Sequence, residues 1–344
     1  MWVGRHLACA RVPINSVPCN GASPRVRPYP RFSCFPERME ILLLRRARED
    51  GTVSIDSLAA RKVEGFMADK RLLGVFAHPD DEGSIGGALL HYHSVGVETG
   101  LIYATRGEVG EISDPVLATQ ENLGQVRENE LRAALNVLSV PRLWFLDYRD
   151  SGMAGSPANP YPHALMNAGP ADVIGKLVAI IRQFRPQVMV TFDETGGYGH
   201  PDHIAMYKNT VGAFHSAADG VQYPEAGLSH AISKLYFTSL SRHQFETLAE
   251  WMQGQEAEMF KDKDPADMGI PDDRISVMLD VERWQDLKAA AQAMHRTQIY
   301  PNNAMLSLPN ELQRKWRGTE IYQLAASRVG PDVVGENDLF ARVP

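Results

Sequence analysis

Residues 71–82 read RLLGVFAHPDDE, and the fold turns on how they are taken. The apolar run from Leu72 to Ala77 is short for a helix and suits a buried strand. At His78 it breaks into Pro79, Asp80, Asp81 and Glu82, so a strand end meets an acidic turn. The stretch EGSIGGALLHYHSVG (82–96) then reads as a helix. Downstream the alternation repeats. Strands are expected at 97–105, 142–148, 186–193 and 232–241, with helices at 118–140, 170–184 and 201–217. Strands separated by helices require right-handed crossovers, hence an α/β domain built on a mostly parallel sheet with helices on both faces. In such sheets the functional residues collect beyond the carboxyl ends of the strands.

Composition narrows the function classes. Of 344 residues 44% are hydrophobic and 22% charged, which excludes a wholly disordered chain and leaves material for a sizeable core. No apolar run is long enough for a membrane span. A net charge of −7 argues against nucleic acid as a partner. The charge is unevenly spread: residues 1–66 carry a net +5 and residues 67–344 a net −12. All three cysteines, Cys9, Cys19 and Cys34, lie in the basic, Pro/Arg-rich segment 1–66, which reads as a largely disordered extension. Within it, residues 39–49 could form a short basic amphipathic helix, and Met67 opens a natural beginning just before the first strand. The domain is expected over 67–330, followed by a tail at 331–344. A cysteine-free body suits a cytoplasmic location.

Chemistry concentrates at two strand ends. Three consecutive carboxylates after a buried strand repel one another, and a divalent cation held by His78 and Asp81 would resolve the conflict. The competing reading makes Asp80 and Asp81 simple caps of the following helix. A second cluster, YGHPDH (198–203), follows the fourth strand and places His200, Asp202 and His203 at an equivalent position. Histidines three apart on a first helical turn face the same way, so the paired clusters favour a metal site.

These motifs resemble the zinc-dependent de-N-acetylases of the LmbE/PIG-L type. The likeness covers roughly 70–330 and includes AHPDDE, GHPDH, TRGEVG (105–110), RENEL (127–131), YRDSGM (148–153) and HRTQ (295–298). The last two point to the mycothiol-type branch, which holds a deacetylase and an S-conjugate amidase. The resemblance implies a Rossmann-like fold and one zinc ion per chain bound by His78, Asp81 and His203. It implies Asp80 as general base, His200 as the carbonyl-polarising histidine in protonated form, Asp202 orienting His200, and Tyr198 near the oxyanion. Arg106, Glu108, Arg127, Asp150 and His295 are implied as substrate contacts for an amino sugar. The expected reaction is removal of an N-acyl group, acetyl above all, by metal-activated water.

Other readings stay in view. A dinucleotide site would need a glycine-rich turn where HPDDE stands. A phosphoesterase would use two metals, and a non-catalytic carbohydrate-binding protein would lack Asp80. The loop 151–169 is expected to act as a substrate-facing lid. Oligomeric state is not legible.

Overall fold

The computed structural model describes residues 69–251, 264, 268–300, 309–330 and 336–344. The expectations for 1–66 and for Met67 lie outside them. Five parallel strands form the main part of the sheet: β1 (Arg71–Phe76), β2 (Glu98–Tyr103), β3 (Arg142–Phe145), β4 (Val188–Phe192) and β5 (Lys234–Ser239). Two further strands, β6 (Val277–Asp280) and β7 (Thr319–Ser327), extend it antiparallel, and the order is β3-β2-β1-β4-β5-β7-β6. β1 is buried over five of its six residues and β4 over its whole length, as central strands covered on both faces must be.

The helices are α1 (Gly86–Ser94), α2 (Leu123–Val137), α3 (Pro170–Phe184), α4 (Pro201–Ala218), α5 (Arg242–Trp251), α6 (Gln285–Gln292) and α7 (Asn310–Arg317). α3 and α4 pack together, while α6 packs against α1 and α2. α3 starts with Pro170 in its first turn, where the missing N–H has no partner to lose. It buries Val173, Leu177, Val178, Ile181 and Phe184, a stripe at helical spacing. Along α2 the buried stripe is Leu123, Arg127, Leu131, Ala134 and Leu135, with an arginine where an apolar residue belongs.

Several boundaries differ from expectation for local reasons. α2 begins at Leu123, not 118, because the Asn122 side chain accepts the Thr119 N–H at 2.8 Å and holds a turn there. Beyond the expected elements, α6 ends at Gln292, and His295 follows at φ −80°, ψ 57° with its side chain buried. β6 and β7 were not expected. The described part of the C-terminal segment does not dangle: Leu339, Phe340 and Val343 join the main core. The strand order reverses between β1 and β4, and the crevice outside their carboxyl ends is where such sheets bind ligands.

Candidate metal centre and active site

His78 lies two residues beyond β1, and its ring joins the two motif clusters. Its Nδ1 lies 3.1 Å from Nε2 of His203 and 3.9 Å from Oδ2 of Asp81. Oδ1 of Asp81 is 3.4 Å from the same His203 nitrogen. The remaining atoms of these residues are anchored. Asp81 Oδ2 accepts the N–H groups of Ala77 (3.1 Å) and His78 (2.7 Å). The His203 ring stacks on Phe192 at 4.0 Å, and its Nδ1–H donates to the Gly196 carbonyl at 3.0 Å. Gly196 has φ 65°, and a Cβ there would sit 2.7 Å from that of His203, so only glycine lets this carbonyl reach the ring.

The opposite face of His78 meets carboxylates. Its Nε2 is 3.2 Å from Asp202 Oδ2 and 3.5 Å from Asp150 Oδ1. Such contacts fix the ring so that Nδ1 faces the site, the arrangement outer carboxylates impose on metal-bound histidines. Burial lowers the His78 pKa, but Asp150, Asp202 and Asp81 outweigh it and hold the ring well above the ordinary histidine range. Burial and the nearby His78 push His203 down to about 3. Two imidazole nitrogens at 3.1 Å need a proton or a cation between them.

The donor set fits a cation. Tetrahedral zinc at ordinary bond lengths spaces its ligand atoms about 3.3 Å apart, close to the separations found. His78, His200 and His203 also offer nitrogens within 4.8 Å of one another, as do His78, Asp150 and Asp202 with their ligand atoms. Burial pushes Asp81 up to about 6 against the pull of His78, so the protein alone undercompensates this carboxylate. A bound cation would correct that deficit.

Asp80 stands beside this group with its side chain 36% exposed. Its backbone is left-handed, φ 100° and ψ −19°, an unusual state for a residue with a Cβ. Burial pushes its carboxyl up to about 6, Arg127 pulls it down and Asp81 raises it. His200 caps α4: its Nδ1 accepts the Asp202 N–H at 3.2 Å. An imidazolium cannot accept there, so the ring is neutral with its proton on Nε2, and burial beside His78 lowers it to about 4. The expected protonated His200 is therefore corrected to a neutral donor. The Asp202 carboxylate is taken up by His78 and by the N–H and hydroxyl of Ser151, so it orients His78 and touches His200 only through its backbone. Tyr198 is 57% exposed in a glycine-flanked turn, its ring 5.1 Å from His203.

Residues 73–214 match the family described as PIG-L, GlcNAc-PI de-N-acetylase. A relative from Geodermatophilus obscurus, named 1D-myo-inositol 2-acetamido-2-deoxy-alpha-D-glucopyranoside deacetylase, is 38% identical over 289 residues, covering 80% of this chain and 98% of its own. The chain belongs to the PIG-L family. Among solved structures, N,N'-diacetylchitobiose deacetylase from Pyrococcus horikoshii matches with a TM-score of 0.50 and 18% identity, covering 80% of this chain and 94% of its own. A 4-carboxy-2-hydroxymuconate hydratase from Pseudomonas putida matches at 0.51 and 19%, covering 77% and 99%. The fold therefore hosts more than one chemistry, and the reaction must be argued from the site.

The remaining expected residues of this PIG-L chain fall into two groups. Arg127 and Asp150 are buried, with most of their polar atoms engaged by the protein rather than offered to a sugar. Arg127 donates to the carbonyls of Pro79 (2.6 Å) and Gly107 (3.1 Å) and to Asp80 Oδ2 (3.1 Å). Gly107, at φ 68°, makes room, since a Cβ there would lie 2.0 Å from the guanidinium. Asp150 accepts the N–H groups of Gly152 (2.8 Å) and Val109 (3.2 Å); burial raises its carboxyl, but His78 and these donors hold it below the ordinary range. His295 is 2% exposed and reaches the underside of Asp80 through Glu82, not the mouth of the site. Arg106 and Glu108 line an outer pocket with Gln120, Gln125 and Arg149. Arg106 is paired there with Glu128 and Asp147, both at 2.6 Å.

Sequence reasoning missed Ser151 and Glu82 as parts of the site. Ser151 is fully buried and ties Asp202 to the loop 151–169, which its own side chains also pin through Asn159 and Asn167. The loop is thus anchored, not a free lid. For Glu82 the signal was its place in the run of three carboxylates, and for Ser151 only the polar pair Asp150–Ser151 a few residues after β3.

Proposed function

We propose that this chain is a zinc-dependent deacetylase that removes the acetyl group of an N-acetylglucosaminyl-inositol, the substrate class named for its relatives. The convergence of His78, Asp81 and His203 from two strand ends, with Asp80 beside them, carries the reading. Bound there, zinc would supply an acidified water and a Lewis acid for the amide carbonyl. Asp80, held by Arg127 and raised to about 6, is suited to take a proton from water near neutral pH and return it to the leaving amine. His200, with its proton on Nε2, donates to the developing oxyanion, and its capping bond prevents the ring from turning away. Tyr198, 57% exposed beside His203, supplies a second hydroxyl. Asp202 and Asp150 hold His78 in the ligating orientation. A cytoplasmic enzyme is consistent with a body free of cysteine; among the described residues no helix is long and apolar enough to cross a membrane.

The test is release of primary amine from N-acetylglucosaminyl-inositol by purified, zinc-loaded protein. Asp80→Ala should abolish turnover while metal content stays near one per chain. Faster turnover of a mycothiol S-conjugate would assign the amidase branch, and two metals per chain would favour the phosphoesterase reading.

A further inference from the structure

Asp80 is a non-glycine residue at φ 100°, a strained conformation that persists only when its surroundings hold it. One hold is Arg127, which grips the Pro79 carbonyl and the Asp80 carboxylate. A second comes from below and has no part in the mechanism above. Glu82 is 2% exposed, and its Oε2 accepts the backbone N–H of Asp80 at 3.0 Å. The same oxygen accepts the Tyr103 hydroxyl at 2.7 Å, and Oε1 meets His295 Nε2 at 2.5 Å.

A fully buried carboxylate next to Asp80 and Asp81 is an expensive way to hold a turn. His295 balances it, arriving from 213 positions away. Two residues on, Thr297 ties the same segment to α2, its N–H and hydroxyl bonding the two oxygens of Glu130 at 2.9 and 2.6 Å. Glu130 lies three residues after Arg127 on α2, so one helix anchors both holds on Asp80.

We propose that Glu82, clamped by His295 and Tyr103, is a positioning residue that fixes the left-handed backbone of Asp80 and thereby aims its carboxylate at the reacting water. The inference rests on Asp80 acting as the base, and the experiment separates the two claims. His295→Leu and His295→Gln are assayed in the zinc-loaded full chain for kcat and KM on N-acetylglucosaminyl-inositol, beside Asp80→Ala, with metal content and melting temperature measured on each.

His295→Leu should lower kcat by about 10–100-fold, the usual size for an outer support, with KM within about twofold and metal near one per chain. His295→Gln keeps an N–H donor for Glu82 and should recover most of the loss. Should His295→Leu not fold, Tyr103→Phe should give the same split, smaller in size. Wild-type kcat in His295→Leu or Tyr103→Phe beside an inactive Asp80→Ala would overturn this inference alone. So would a parallel fall of kcat, metal content and melting temperature that His295→Gln does not repair. Activity that survives Asp80→Ala would bring down the base assignment and this inference together.

Discussion

Two buried arginines mark opposite rims of the sheet, and they are held in opposite ways. Arg182, near the end of α3, donates to six backbone carbonyls: Ser216, Ala217, Asp219, Gln222, Tyr223 and Gly227. All three of its nitrogens are used, and it ties the end of α4 to the loop that leads into β5. Arg127, at the carboxyl rim, grips two carbonyls and a carboxylate, and among the described residues its Nε has no partner. Around it stand crowded carboxylates, three imidazoles and a left-handed aspartate. The amino rim is arranged for stability. The carboxyl rim tolerates strain and unmatched charge, as sites of chemistry do.

That contrast can be broken by substitution. Arg182→Met should destabilise on the order of 4 kcal/mol, because several buried carbonyls lose their donor together. Thermal melting should show a drop of about 10 °C, while kcat per folded molecule stays at the wild-type value. Arg127→Met should do the reverse, lowering kcat about 100-fold, since Asp80 loses both its partner and the grip on Pro79. Its melting temperature should fall less than that of Arg182→Met. Equal behaviour of the two variants would erase the distinction between the rims.

Acidity sharpens it further. Asp81 must be ionised to ligate, yet burial raises it to about 6, so protons compete with the metal below that pH. His78, held above the ordinary histidine range, must also give up a proton to ligate. Affinity measured against a competing chelator should therefore begin to fall above pH 6 and drop more steeply than about tenfold per pH unit below it, and the melting gap between loaded and stripped protein should narrow in step. The smallest effect is expected for Ser151→Ala, which removes one bond to Asp202 and should weaken metal binding about threefold in the same assay.

The five parallel strands and both ligand clusters were legible because each is a local pattern: an apolar run, a turn and a polar cluster within about ten residues. β6 and β7 were not. β6 has four residues, and β7 finds its place beside β5 only through pairing that no local period encodes. The candidate ligands could be read for the same local reason, whereas the residues that support them could not. Ser151 meets Asp202 across 51 positions and His295 meets Glu82 across 213, distances at which spacing carries no signal. The role of Asp202 was misplaced for that reason: its neighbour in sequence is His200, but its carboxylate's partner in space is His78.

The clasp of His295 on Glu82 also orders events during synthesis. The two ligand motifs are complete once residue 203 has left the ribosome, yet the turn bearing Asp80 is not clasped until nearly a hundred further residues have followed. A nascent chain halted in that interval would carry every candidate ligand and still lack the lower brace of Asp80. The residues proposed to hold the ion are thus all made before the brace on their proposed base can close.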